Sequence, residues 1–217
     1  MKKYSIGNDI VALEATNSAR TCQPRFYSKF LTTTETGLFE KAKPVITQEG
    51  FIWLCWSIKE SVYKFQQRLQ PQLAFAAGKI SIKEINAPLQ QRSLDTNFLI
   101  ESNSLQAENC FTSVAVINSI PLYSYSFITG HFIYTITANK ENCNNLHWGI
   151  KKIDEVNYNN QSLSVRQFAS QKLSGVLNTD AFKILKDTAG IPYLQQHPQI
   201  PVSFTHHHHF VAYAFLA

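Results

Sequence analysis

The apolar residues of this chain follow two rhythms. Over residues 47–69, Phe51, Cys55, Ile58, Val62, Phe65 and Leu69 recur at alternating steps of four and three. That spacing puts them on one stripe of an amphipathic helix. Pro71, which has no N–H to donate, ends it. Elsewhere the period is two, or the run is short and apolar, as strands require. Residues 4–13 are rich in Ile and Val, and KISIKEI at 79–85 alternates. The runs 111–117, 122–128 and 131–138 follow as further strands, with 86–109 a loop and edge strand. After a polar break at 140–145 the theme repeats in miniature. A strand at 147–153 leads to a helix over 164–176, where Val165, Phe168, Ala169, Leu173 and Val176 share a face. FKIL, a Gly190-Ile191-Pro192 turn and the strands 201–205 and 209–216 complete it. The pattern predicts an α+β fold of two similar halves, 1–140 and 141–217, each a helix on an antiparallel sheet.

From Asn109 to Asn139 there is no Asp, Glu, Lys or Arg, which raises the question of a membrane span. Pro121, Gly130, His131 and many hydroxyls interrupt that stretch. Strands either side of a Thr129-Gly130-His131 turn explain it better than a spanning helix. Asn8 and Asp9 likewise break any signal-peptide core after the two N-terminal lysines. A soluble, cytoplasmic protein with no membrane partner is the expectation.

Composition narrows the classes further. At 44% hydrophobic and 16% charged residues in 217, the chain is no disordered tail, coiled coil or collagen-like repeat. Its net charge of +5 and pI near 9.0 suit an anionic ligand or an acidic partner. A nucleic-acid module would cluster Lys and Arg on one face with aromatics between them. Here they are scattered, so no nucleic acid is expected. Cys22, Cys55, Cys110 and Cys143 lie far apart with no CxxC, which reads as reduced thiols in a cytoplasm.

Three places carry candidate chemistry. Asp9 sits in an apolar strand, where a lone carboxylate needs a partner. The bland reading is a strand-end carboxylate that caps a loop or pairs with an Arg. Glu60 and Lys64 are four apart on the first helix, off its apolar stripe. By themselves they are a surface ion pair, yet Trp53 and Trp56 flank them, as they would beside a second layer or a ligand. The third place is PVSFTHHHHF. Adjacent histidines in a strand point to opposite faces, so four cannot converge on one metal without a tight turn. A strand-to-strand turn with one functional histidine is more economical, and Thr205 and His206 could donate to a phosphate.

Taken together, IGNDIV (6–11), RFYSKFLTTTE (25–35), WSIKESVYK (56–64), GIPYL (190–194) and PVSFTH (201–206) resemble the motif series of the 4′-phosphopantetheinyl transferase superfamily. That series is a GxD strand, a WxxKExxxK helix, a G-basic-P turn and a strand ending in Ser-x-Ser/Thr-His. The motif order is that of the short, trimeric holo-acyl-carrier-protein synthases. The length is that of the surfactin-synthetase type, in which two halves form a pseudo-dimer. The resemblance therefore implies a monomeric pseudo-dimer with its halves exchanged, or permuted.

The resemblance also implies roles. Asp9 and Glu60 hold Mg²⁺ with the pyrophosphate of coenzyme A, and Glu60 receives the proton of a carrier-protein serine. Lys64 stabilises the departing 3′,5′-ADP. Lys59 contacts phosphate, Thr205 and His206 grip the 3′-phosphate, and Arg25 touches the carrier or the nucleotide. The partner is an apo acyl or peptidyl carrier protein, with fatty acid biosynthesis one pathway it would serve. The chain departs from the family pattern at Asn8, at Val11, where the longer type has a second strand carboxylate, and at Ile191, where a basic residue is usual. Lys183 or Lys186 could replace the last. The other reading is a non-catalytic relative that binds coenzyme A or a carrier protein.

Overall fold

The computed structural model describes residues 4–89, 99–138 and 145–217. The polar break expected at 140–145 lies outside them, apart from Asn145. The chain opens with β1 (Ile6–Ala12), every residue of which is buried. Four short helical turns follow: α1 (Ser18–Thr21), α2 (Pro24–Tyr27), α3 (Thr33–Gly37) and α4 (Phe39–Ala42). Local chemistry explains their starts. The Asn17 side chain accepts from the Arg20 N–H, Pro24 occupies a position that needs no donor, and Thr32 and Glu35 form a reciprocal capping box. The long helix α5 (Gln48–Leu69) begins where the Thr47 hydroxyl accepts from the Gly50 N–H at 3.1 Å, and it stops two residues before Pro71.

The strands then run β2 (Ile80–Asn86), β3 (Leu99–Ser102), β4 (Phe111–Ile117), β5 (Ile120–Ile128), β6 (Phe132–Ala138) and β7 (Leu146–Lys152). Helix α6 (Tyr158–Leu177) is followed by β8 (Ile184–Lys186), β9 (Pro192–Leu194), β10 (Val202–His207) and β11 (Phe210–Leu216). Helix α6 starts six residues before the expected 164, because the Asn157 side chain caps it by accepting from the Asn160 N–H. Among the described residues, one sheet has the order β1-β6-β5-β4-β2 and a second the order β10-β11-β7-β3, with β8-β9 a separate hairpin. All their pairings are antiparallel. The uncharged stretch is β4, β5 and β6, and no helix among the described residues is long and apolar enough to cross a membrane.

Three apolar clusters define the layers. Phe51, Leu54, Ile58 and Val62 of α5 pack with Ile82, Ala115 and Leu122 of the first sheet. Ile6, Ile10, Phe132 and Tyr134 of the first sheet meet Trp148, Ile150, Phe210 and Ala212 of the second. Val165, Phe168 and Leu173 of α6 cover Val211, Tyr213 and Phe215 on the far side. The order is thus helix, sheet, sheet, helix. The edge strand expected within 86–109 is β3, and it pairs with β7 rather than with the first sheet. The first half of the chain therefore lends a strand to the second sheet.

One contact fixes the geometry of everything that follows. A β-carbon on Gly7 would lie 2.0 Å from the Ser61 carbonyl oxygen and 2.5 Å from the Phe65 nitrogen. Only a residue without a side chain lets α5 come down onto β1 so closely. Strand alternation then turns Asp9, two residues on, toward the same helix.

Candidate active site

Asp9 is 4% exposed and meets α5 at Lys64, whose Nζ lies 3.3 Å from Asp9 Oδ1 and 3.4 Å from Glu60 Oε1. The ammonium therefore links a buried carboxylate to a partly exposed one. Asp9 Oδ2 is buried and has no hydrogen-bond partner among the described residues. Burial, and then the charge of Glu60, push the Asp9 carboxyl up to about 7, against the pull of Lys64 and, more weakly, of the nearby Ser57 hydroxyl. Burial works against a charged Lys64, but Asp9 and Glu60 outweigh it and raise its pKa.

The third element of the site is β10, which runs along the free edge of β1. No backbone ladder joins the two. Instead the side chains of β10 take up alternate N–H groups of β1, each at the same sequence offset of 195. Ser203 Oγ accepts from Asn8 at 3.1 Å, Thr205 Oγ1 from Ile10 at 3.2 Å and His207 Nδ1 from Ala12 at 2.9 Å. Thr205 also donates to Asp9 Oδ1 at 3.4 Å. Asn8, the first departure from the family pattern, is fully buried and donates to Tyr134 Oη at 3.1 Å, which in turn donates to the Tyr213 carbonyl at 2.8 Å. It is a polar tie between the two sheets.

His206 faces a small cleft of about 100 Å³ lined also by Arg166, Lys186, Gly190, Pro192 and Phe204. Burial, then Lys64 and Lys186, hold its imidazole below the usual histidine range. The turn beneath the cleft needs Gly190, whose φ is +79°. Ile191 within that turn is buried at 8% exposure, so the turn presents an apolar side chain and no charge at that position. Of the two lysines considered as replacements, Lys186 lines the cleft beside His206, while Lys183 lines a larger, open cleft of about 810 Å³ between α6 and β8.

Two of the expected contacts lie elsewhere. Lys59 is fully buried, and its Nζ donates to the carbonyls of Phe30, Ala77 and Ile80 at 2.7, 3.2 and 2.8 Å. It pairs with Glu35, also fully buried, at 2.8 Å. A lysine with every proton committed has none for a phosphate, so Lys59 pins α3 and β2 to α5 instead. Arg25 is exposed on α2, where its Nε donates to Gln23 Oε1 at 2.8 Å, and no described contact ties it to Asp9 or Lys64. Trp53 and Trp56 face a second layer, with their rings against Phe26, Phe30 and Phe75.

Sequence reasoning passes over Arg68 and Arg166. Arg68 follows Lys64 by four, as Lys64 follows Glu60, and that spacing is a usable signal. Its guanidinium donates to the Pro192 carbonyl at 2.9 Å and to the Val202 carbonyl, fastening α5 to the second half beside the cleft. Burial lowers its pKa to about 10, with Asp187 opposing. Arg166 carries no signal, since only the packing of α6 against β8 brings it to His206.

The Asp9 shift has a measurable consequence. Its folded pKa of about 7 lies above the ordinary 3.8, so between those values the folded state holds the extra proton. In EDTA, stability should therefore fall as pH rises through that window, by roughly 2–4 kcal/mol. Asp9→Asn should flatten the dependence. Thermal unfolding at pH 5 to 8 checks this, and stability rising over that range would show Asp9 to be ionised by its partners.

Residues 5–112, a span holding Asp9, Glu60 and Lys64 but not Thr205 or His206, match the family model described as the 4′-phosphopantetheinyl transferase superfamily. No curated protein and no solved structure gives a significant match. The match covers the same strand and helix that the geometry brings together at Asp9 and Lys64, and the chain belongs to the 4′-phosphopantetheinyl transferase superfamily.

Proposed function

We propose that the protein transfers the 4′-phosphopantetheine arm of coenzyme A to a serine of an apo acyl or peptidyl carrier protein, in a Mg²⁺-dependent reaction that releases 3′,5′-ADP. The observation that carries this reading is the convergence of Asp9 from β1, Glu60 and Lys64 from α5, and Thr205 from β10 at one partly open cluster. The donor set fits a hard cation. Asp9 Oδ2 is a buried carboxylate oxygen with no partner among the described residues, and Glu60 is a second oxygen ligand within reach of solvent. Asp9 and Glu60 would hold the ion. When bound, it supplies neutralising charge to the pyrophosphate.

The chain's own groups account for the remaining steps. The serine hydroxyl attacks the β-phosphorus of coenzyme A, and the bond from that phosphorus to the bridging oxygen of 3′,5′-ADP breaks. The serine proton goes to Glu60. Lys64, held charged by its neighbours, faces the charge that develops on the leaving oxygen. His206, Lys186 and Arg166 offer a basic cleft to the 3′-phosphate, which supplies the cations that Ile191 does not. The basic surface implied by a pI near 9.0 suits an acidic carrier protein.

We further propose that the halves 1–140 and 141–217 form a pseudo-dimer with family order exchanged, β3 crossing between them, so that one chain suffices for the site. Incubating the protein with apo acyl carrier protein, coenzyme A and Mg²⁺ should add the phosphopantetheine mass to the carrier, and excess EDTA should abolish this. The burial of Ile191 favours the second reading, a relative that binds without transferring. Binding of coenzyme A with no mass added to any carrier would establish it.

A further inference from the structure

The four histidines at 206–209 are divided by the fold. His206 and His207 end β10, one at the basic cleft and one bonded to the Ala12 N–H. His208 and His209 form the two-residue turn into β11, and His208 takes a φ of +51° to make it. This is the tight turn without which neighbouring histidines diverge. Both turn imidazoles lie beside Glu14, in the 3₁₀ turn that follows β1, and one ligand atom from each of the three residues lies within 4.8 Å of the others.

From this placement we propose a second cation site, distinct from the carboxylate cluster, in which Glu14, His208 and His209 bind one borderline transition-metal ion, Zn²⁺ being the matched choice. Two imidazoles and a carboxylate with a fourth position open to water make a tetrahedral set that suits Zn²⁺ and disfavours Mg²⁺. His208 Nδ1 already lies 3.1 Å from Glu14 Oε1, near the roughly 3.3 Å between ligand atoms around a tetrahedral Zn²⁺. The remaining pairs lie within 4.8 Å, so they close by no more than about 1.5 Å to reach that spacing.

A second observation, independent of the clustering, concerns the tautomer. His209 Nδ1 lies 2.9 Å from the Ile153 carbonyl oxygen. A carbonyl can only accept, so Nδ1 carries the proton and Nε2 is left with its lone pair. A backbone carbonyl that fixes and orients the far nitrogen in this way is the usual support of a metal-binding histidine. Glu14 is exposed and both histidines are half-buried, so an ion can reach them from solvent. The site would clamp the β10–β11 turn to the segment leaving β1, at the end of the seam that carries Asp9 and Thr205.

The test is a competition titration of the EDTA-stripped, dialysed full-length chain with Zn²⁺ against a chromophoric chelator, in millimolar Mg²⁺ to occupy hard-ligand sites. The wild type should take up one equivalent, and His208→Ala should lose it. Glu14→Gln should weaken binding at least tenfold, although it lies far from the histidine run in sequence, and His197→Ala should bind as the wild type does. One equivalent of Zn²⁺ should also raise the thermal midpoint of the wild type but not of His208→Ala. Glu14→Gln binding with wild-type affinity would overturn the proposal, by showing that the histidine run binds zinc as any unstructured run would. So would a wild type that takes up none.

Discussion

Glu60→Gln should remove phosphopantetheinyl transfer by three or more orders of magnitude and leave a folded protein. On the proposed mechanism, the amide keeps the size of the side chain but cannot take the serine proton, and it is a poorer ligand for a hard cation. Losing both contributions at the reacting atoms accounts for a deficit of that size, since proton transfer alone is worth about 10²–10⁴. Stability should move the other way. In the metal-free chain the charge of Glu60 is one of the causes that raise the Asp9 pKa, so its removal relieves a repulsion and should lift the thermal midpoint in EDTA. Lys64→Ala should also slow transfer strongly. It should lower the midpoint, because it strips Asp9 of its nearest cation. If 60 and 64 were only a surface pair, each change would be worth less than about 0.5 kcal/mol and rates would not change. Carrier modification followed by mass spectrometry, with thermal unfolding of the same samples, separates the two outcomes.

Glu35→Ala should produce the largest loss of stability, about 3–5 kcal/mol, because it leaves the Lys59 ammonium buried without its counter-charge. Glu35 is committed on every side. Oε2 accepts from the Thr32 N–H at 2.8 Å and from Lys59 at 3.0 Å, and Oε1 accepts from the Ile82 N–H at 2.8 Å. Removing both charges together, as in Glu35→Gln with Lys59→Met, should cost clearly less than the two single changes added, since neither partner is then left ionised alone. Urea unfolding of the four proteins measures the coupling. At a temperature where Glu35→Ala is still folded, its transfer rate should be close to that of the wild type. A rate that fell with stability intact would return Lys59 to the phosphate.

Legibility differs by element for physical reasons. Helix α5 is readable almost to the residue, because a long stripe, a Thr47 cap and a Pro71 stop agree. The start of α6 is not, because Tyr158 and its neighbours add nothing to an apolar stripe; only Asn157 marks the boundary. The partner of β3 is invisible, since pairing across distant sequence leaves no local trace. The structure places Asp9, Glu60, Lys64 and Thr205 of the family motif together, but the one proton of Thr205, expected at the 3′-phosphate, goes to Asp9. The motif also draws in Lys59 merely for standing next to Glu60. On a helix, successive residues point ~100° apart. Lys59 lies four after Cys55 and three before Val62, on the buried side, and that helical phase by itself argues against a phosphate contact. The basic cleft is legible only in part. Gly190 and His206 belong to motifs, whereas Arg166 and Lys186 reach it through tertiary packing.

A backbone ladder between β1 and β10 would have accepted nearly any sequence and more than one alignment. The three side chains that join them do not. A slip of one residue would swap which faces of the strands meet, and a slip of two would carry Thr205 about 7 Å from Asp9. The same hydroxyl that accepts from Ile10 donates to Asp9, so alignment of the two sheets and assembly of the Asp9 cluster are one event. If transfer runs through Asp9 as proposed, a chain docked out of register loses the Thr205 contact to that carboxylate and is silent rather than merely slow, and activity becomes a vernier for correct folding.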